Sequence, residues 1–213
     1  MPFTVSHAAA VLPIHRLSRH KLPLTALMVG SMAPDFGYIF SYELSRPITH
    51  SFTGLFTFSL PVGMLVWLFY VAVLEKATIT LLSDRWHTRF AHTDAITLKL
   101  IARAAVAIIL GAITHLIWDA FTHRGTAVTD AFPALLAPTP GLGWLPIYHL
   151  LHALSSVVGL AILVRWARHL HHHHRAAATP RVTLALRSRL RPAAPGKVVR
   201  GAAGLPRGFG VLL

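Results

Sequence analysis

Apolar residues in this chain gather into runs too long for the interior of an ordinary soluble domain. Phe52 to Leu74 carries no charged side chain, and a run from about Leu100 to Phe121 carries only Arg103 near its start and Asp119 near its end. A third run, Leu145 to Leu163, is closed by Arg165 and Arg168. About 20 apolar residues in helical form cross the hydrocarbon of a bilayer, so each run predicts a spanning helix. Pro61 and Gly63 interrupt the first, which membrane helices tolerate. A fourth, weaker segment runs from Leu22 to Phe40 and is broken by Pro34. Arg16, Arg19 and Lys21 before it give it the look of a signal peptide, but Pro34 directly follows the nearest small-residue site, Ser31-Met32-Ala33, and proline there generally blocks cleavage. An uncleaved segment is expected. The predicted fold is all-α: an integral membrane bundle of three to four spanning segments with short N-terminal helices, occupying residues 1–168.

Composition agrees with a membrane setting. Of 213 residues, 54% are hydrophobic and 13% charged, against roughly 25% charged in soluble domains. The formal charge of +13 invites a nucleic-acid reading, but ten of the twenty Lys and Arg residues lie from Arg165 onward. A basic stretch beside an apolar helix reads as a cytoplasmic membrane flank, and no nucleic-acid motif is present. Lys76, Arg85, Arg89 and Lys99 crowd the connection between the first two long runs, while Arg124 to Trp144 holds one basic residue. The positive-inside rule then predicts a multi-pass protein of the cell membrane with a cytoplasmic C-terminal tail and the Arg124 to Trp144 loop outside. Residues 169–213, including the consecutive His171 to His174, read as a basic, disordered tail. Adjacent helical residues point about 100° apart, so that histidine run cannot all face one ion.

Candidate chemistry lies in two of only seven acidic residues. Asp35 sits inside TALMVGSMAPDFGYIF and Asp119 inside AAVAIILGAITHLIWDAF. An ionised carboxylate in such surroundings is costly unless it is paired, hydrogen-bonded or bound to a cation. Both have histidines for company. His115, Asp119 and His123 form an H-x3-D-x3-H series, which a helix turns into a single stripe. His115 and Asp119 can chelate one ion, with His123 a turn further along. Asp35 follows Pro34 at the expected end of a helix, and His50 precedes an uncharged run that Ser51 is placed to cap. With no cysteine in the chain, a metal site must rest on His, Asp, Glu and water. The competing reading is structural: Asp119 accepting a hydrogen bond that joins helices, and Asp35 capping a turn.

MPFTVSHAAAVLPIHR, LPLTALMVGSMAPDFGYIF, the THS before an apolar helix and THLIWDAFTH together resemble a bacterial membrane-protein family catalogued as a domain of unknown function, whose members begin MPFT-x-SH. The likeness spans roughly Met1 to Arg168. That family in turn resembles membrane-bound proteins assigned as metal-dependent hydrolases, and the order of ligands in zinc-dependent phospholipase C. The resemblance implies metal ligation by His7, Asp35, His50, His115 and Asp119. The phospholipases also use a later His and an H-x3-E pair. Here His123 matches the former, but no glutamate follows Asp119, and His149 and His152 are the only other later candidates before the tail. One or two ions are therefore expected, not three.

The functional expectation is a metal-dependent hydrolase embedded in the membrane, acting on a phosphoester, either a small molecule or a lipid headgroup. Zinc is the expected divalent metal, with manganese as the alternative. His123 and His149 are the candidates for acid–base roles, membrane lipid is the expected partner, and no nucleic acid is expected. The alternative is a non-catalytic scaffold or transporter whose His and Asp residues pack helices or relay protons.

Overall fold

The computed structural model describes residues 4–39, 42–75, 77–78 and 95–189, with backbone alone for 42–45 and 170–189. A 3-10 turn, Thr4–Ala9, leads into α1 (Val11–Leu17) and α2 (Leu24–Met32). The second 3-10 segment, Ala33–Ile39, continues α2 and is followed by α3 (Tyr42–Thr49). Helix α4 fills the uncharged run, Phe52–Leu74, with π turns at Leu55–Ser59 and Tyr70–Leu74. The first π turn ends just before Pro61, whose missing N–H would break a regular ladder. Helix α5 (Leu98–Thr122) and a short α6 (Ala127–Ala131) come next, then a hairpin of β1 (Pro138–Thr139) and β2 (Leu142–Pro146), then α7 (Ile147–Arg189).

Three helical stretches are long and apolar enough to cross a membrane: Phe52–Leu74, Leu98–Ala131 and Ile147–His169. They match the three strong runs in the sequence. Their outward faces stay apolar, with Leu65 70% and Val157 68% exposed, as lipid-facing surfaces are. The Leu22 to Phe40 segment behaves differently. Its nine-residue α-helix and the seven-residue 3-10 segment that continues it together fall short of the about 20 residues a spanning helix needs. Its apolar side chains are buried in protein: Ala26 and Leu27 join Val11, Trp67, Ala104, Ala107 and Ile108 in the core. The bundle thus has three spanning candidates among the described residues, with α2 packed inside it.

Small residues let α2 and α5 touch backbone to backbone. A Cβ on Gly30 would run into the Ile108 carbonyl, and one on Gly111 would lie 2.6 Å from the Ser31 amide nitrogen. This is the close approach that Gly permits between membrane helices. Trp67 on α4 ties into the same core, donating from Nε1 to Thr25 Oγ1 at 3.1 Å.

At the other end of the chain, α7 runs on through His171 to His174 to Arg189. Residues 190–213 lie outside the described residues, as do Arg85, Arg89 and most of their connection.

Candidate metal centre

Four separate stretches converge at the C-terminal end of α5. Helix α5 supplies His115 and Asp119 one turn apart, both buried. The 3-10 segment after α2 supplies Asp35 in its first turn, as the Pro34 signal predicted. His50 sits between α3 and α4, where the Ser51 side chain caps α4 by accepting from the Gly54 amide. The N-terminal 3-10 turn supplies His7, which is 5% exposed and stacks on His115 with ring centroids 4.0 Å apart. The close packing of α2 against α5 fixes His115: its Nδ1 lies 2.8 Å from the Ser31 carbonyl. A carbonyl only accepts, so Nδ1 carries the proton and Nε2 faces the other groups.

Contacts inside the cluster share an unusual length. His50 Nε2 and His115 Nε2 are 3.3 Å apart, and each is 3.4 Å from Asp35 Oδ1. Asp119 Oδ2 lies 3.5 Å from His50 Nε2 and 3.6 Å from His115 Nε2. Charge-assisted hydrogen bonds run nearer 2.7–2.9 Å. Two ligands bound tetrahedrally to one ion at about 2.1 Å, in contrast, stand about 3.4 Å from each other. The two triangles, His50/His115/Asp35 and His50/His115/Asp119, therefore have the edges of tetrahedral faces. An ion on either face would have three protein donors around it.

The donor set passes a second test. His7 Nε2 and Asp119 Oδ1 are buried with no hydrogen-bond partner, although they lie 3.7 Å apart. Buried polar atoms are almost always satisfied, so two orphans at one point call for a missing partner. Two groups here have ligand atoms close enough together to hold an ion: His7, Asp35 and His115, and His50, His115 and Asp119. Because Nδ1 of His115 is committed to Ser31, its single free nitrogen serves one ion at a time. A second ion would rest on the carboxylates and His7.

Electrostatics outside the spanning helices favours the ligand-ready forms. Burial, then the neighbouring His115, hold His7 down to about 4, against the pull of Asp119 and Asp35, so its imidazole is neutral at pH 7. Burial alone would raise Asp35, but the adjacent His115 and His50 imidazoles and the Thr4 hydroxyl outweigh it and hold the carboxyl well below its usual range. Thr4 Oγ1 donates to Asp35 Oδ2 at 2.7 Å, which turns Oδ1 toward the histidines.

The cluster brings together the five residues that the resemblance implies as ligands; His7, a lone histidine near the N-terminus, carries no spacing signal of its own. His123 is adjacent, with Nδ1 3.4 Å from Asp119 Oδ2. His149 is not brought in. It is exposed on α7, where its ring packs on Tyr148 with centroids 4.4 Å apart and lies 6.4 Å from that of His152, which in turn neighbours His123 at 5.1 Å. Three participants had no sequence signal: Thr4, Tyr38 and Arg46. Arg46 Nη1 donates to Tyr38 Oη at 2.8 Å and stands 3.6 Å from Asp119 Oδ2. A cleft of about 590 Å³ opens beside the cluster, lined in part by Arg46, His50, Asp119, Arg124 and Thr126.

No curated protein and no solved structure matches the chain. A family model matches residues 1–192, and the chain belongs to that family, described as Domain of unknown function (DUF4184).

Proposed function

We propose that this protein is a membrane-embedded, metal-dependent hydrolase of phosphoesters, with lipid headgroups within its substrate range. The carrying observation is the pair of orphaned buried atoms, His7 Nε2 and Asp119 Oδ1, at the centre of a donor set with metal-ligand spacings. His50, His115, Asp35 and Asp119 are the ligands in this reading, and His7 completes the set or serves a second ion. Zinc fits an all-N/O set of imidazoles and carboxylates in tetrahedral spacing, and manganese is the alternative. A divalent ion there would supply Lewis-acid polarisation of the ester and bring the pKa of water down to near neutrality.

The chain's own residues have separable tasks in this reading. Ser31 and Thr4 orient His115 and Asp35, which keeps the donor atoms aimed inward. His123, with Nδ1 3.4 Å from Asp119 Oδ2, is the candidate to pass a proton to or from the reacting group. The distribution of Lys and Arg supports a site on the outer face and a basic tail in the cytoplasm.

Hydrolysis of a chromogenic phosphate ester and of phosphatidic acid by detergent-purified protein tests the reading. Activity should vanish with a chelator, return with zinc or manganese, and be absent in Asp119→Asn. Asn keeps the shape and a hydrogen-bonding group, so a metal-loaded, folded protein inert toward every phosphoester would overturn the hydrolase assignment and leave the scaffold or transporter reading.

A further inference from the structure

We infer that Arg46, held by Tyr38 and joined by Arg124 across the same cleft, is an arm that binds a phosphoryl dianion seated against His50 and Asp119. This rests on the metal-centre reading and names the ligand chemistry that such a centre takes.

Charge carries the first part. Among the described residues, the charged ones lining the cleft are Arg46, Asp119 and Arg124, and Asp35 lies against His50 and His115. A divalent ion held at His50 and Asp119 would stand beside both guanidiniums, so one opening would present three cationic groups to a ligand. Low-dielectric walls strengthen that field. A phosphate monoester brings two negative charges to such an opening, whereas a carboxylate brings one.

Geometry carries the second part. Arg46 lies in the last turn of α3, its side chain only 20% exposed, so its guanidinium looks into the cleft instead of bulk water. Nη1 donates to Tyr38 Oη, and the Tyr38 ring stacks on His50 with centroids 5.4 Å apart. The guanidinium is thereby positioned relative to His50 by a rigid aromatic link. Planar, two-pronged donation to oxyanions is the chemistry of Arg that Lys cannot copy. The cleft, about 590 Å³, falls within the ordinary range for small-ligand pockets.

The test is binding without turnover. Inorganic phosphate is titrated calorimetrically into zinc-loaded wild type, Arg46→Gln and Arg46→Lys, each with its metal content measured. We expect both variants to keep their zinc, Arg46→Gln to lose at least tenfold in phosphate affinity, and Arg46→Lys to fall between. Acetate at equal concentration should compete poorly. A second arm adds phosphatidylcholine micelles doped with phosphatidic acid: competition that Arg46→Gln abolishes assigns the dianion to a lipid headgroup, and competition by free phosphate alone assigns it to a soluble ester. Wild-type phosphate affinity in Arg46→Gln overturns the inference, as does loss of zinc from that variant, which would make Arg46 a structural partner of Asp119. Arg46-dependent phosphate binding with no ester hydrolysed would remove hydrolysis and leave the arm standing.

Discussion

Gly111→Ala isolates the link between helix packing and the metal centre. Gly111 lies one turn before His115 on α5, against the backbone of α2. A Cβ at this position would run into the Leu27 carbonyl oxygen and come 2.6 Å from the Ser31 amide nitrogen, whereas ordinary contact begins near 3.4 Å. The helices must separate by at least about 0.8 Å to admit it. Ser31 is also the residue whose carbonyl orients His115 at 2.8 Å. The same separation stretches that bond to about 3.6 Å, beyond hydrogen-bonding range. Overpacking of this kind costs about 1–3 kcal/mol, which a stable bundle survives. Losing the group that orients an imidazole ligand costs about 10–100-fold in metal affinity. Competition for zinc against a chromophoric chelator, on protein shown folded by its melting transition, reads the effect. Gly143→Ala is the control, since a Cβ there meets nothing within 4 Å. Unchanged zinc affinity in folded Gly111→Ala would refute the coupling.

Three further outcomes follow from the same geometry. Thr4→Val removes the donor to Asp35 Oδ2 and should weaken zinc about 10–100-fold with little change in folding, measured by the same competition. His7, held at about 4 against an ordinary 6.5, binds a proton in the unfolded chain before the folded one; stability of chelator-treated protein should be flat above pH 7 and fall through pH 6.5 to 4, by on the order of 3 kcal/mol. His7→Gln should flatten that slope in a series of thermal melts, and identical slopes would contradict the assignment. A reporter active only in the cytoplasm should be active when fused after Arg175 and silent when inserted near Pro138; the reverse would place the cleft on the inner face.

Much of the architecture was legible because the bilayer imposes a length rule. Phe52–Leu74 is spanning-length in sequence and in structure alike. Whether Leu22 to Phe40 spans is not legible in the same way: apolar content does not say whether lipid or protein covers it, and here Leu27 and its neighbours face α5 and the core. His115 and Asp119 were legible because helical periodicity places them on one face. His7 joins them only through tertiary stacking on His115, which no local spacing encodes. Arg46 was hidden for a related reason. Read along the chain it is a single basic residue in a short amphipathic segment, and its meaning depends on Tyr38 and Asp119 arriving beside it.

Metal content tests the central claim most directly, provided the tail is removed from the question. Side chains of His171 to His174 can collect ions of their own, so the comparison uses protein in which all four are alanine, with and without Asp119→Asn. Both proteins are purified without added metal and analysed by mass spectrometry against protein concentration. The account predicts one or two zinc or manganese ions per chain in the first and none in the second, because the substitution removes a charge that holds the cation while preserving shape. Equal content in the two, or no stoichiometric metal in either, would contradict it and return Asp119 to the role of a helix-joining hydrogen-bond acceptor.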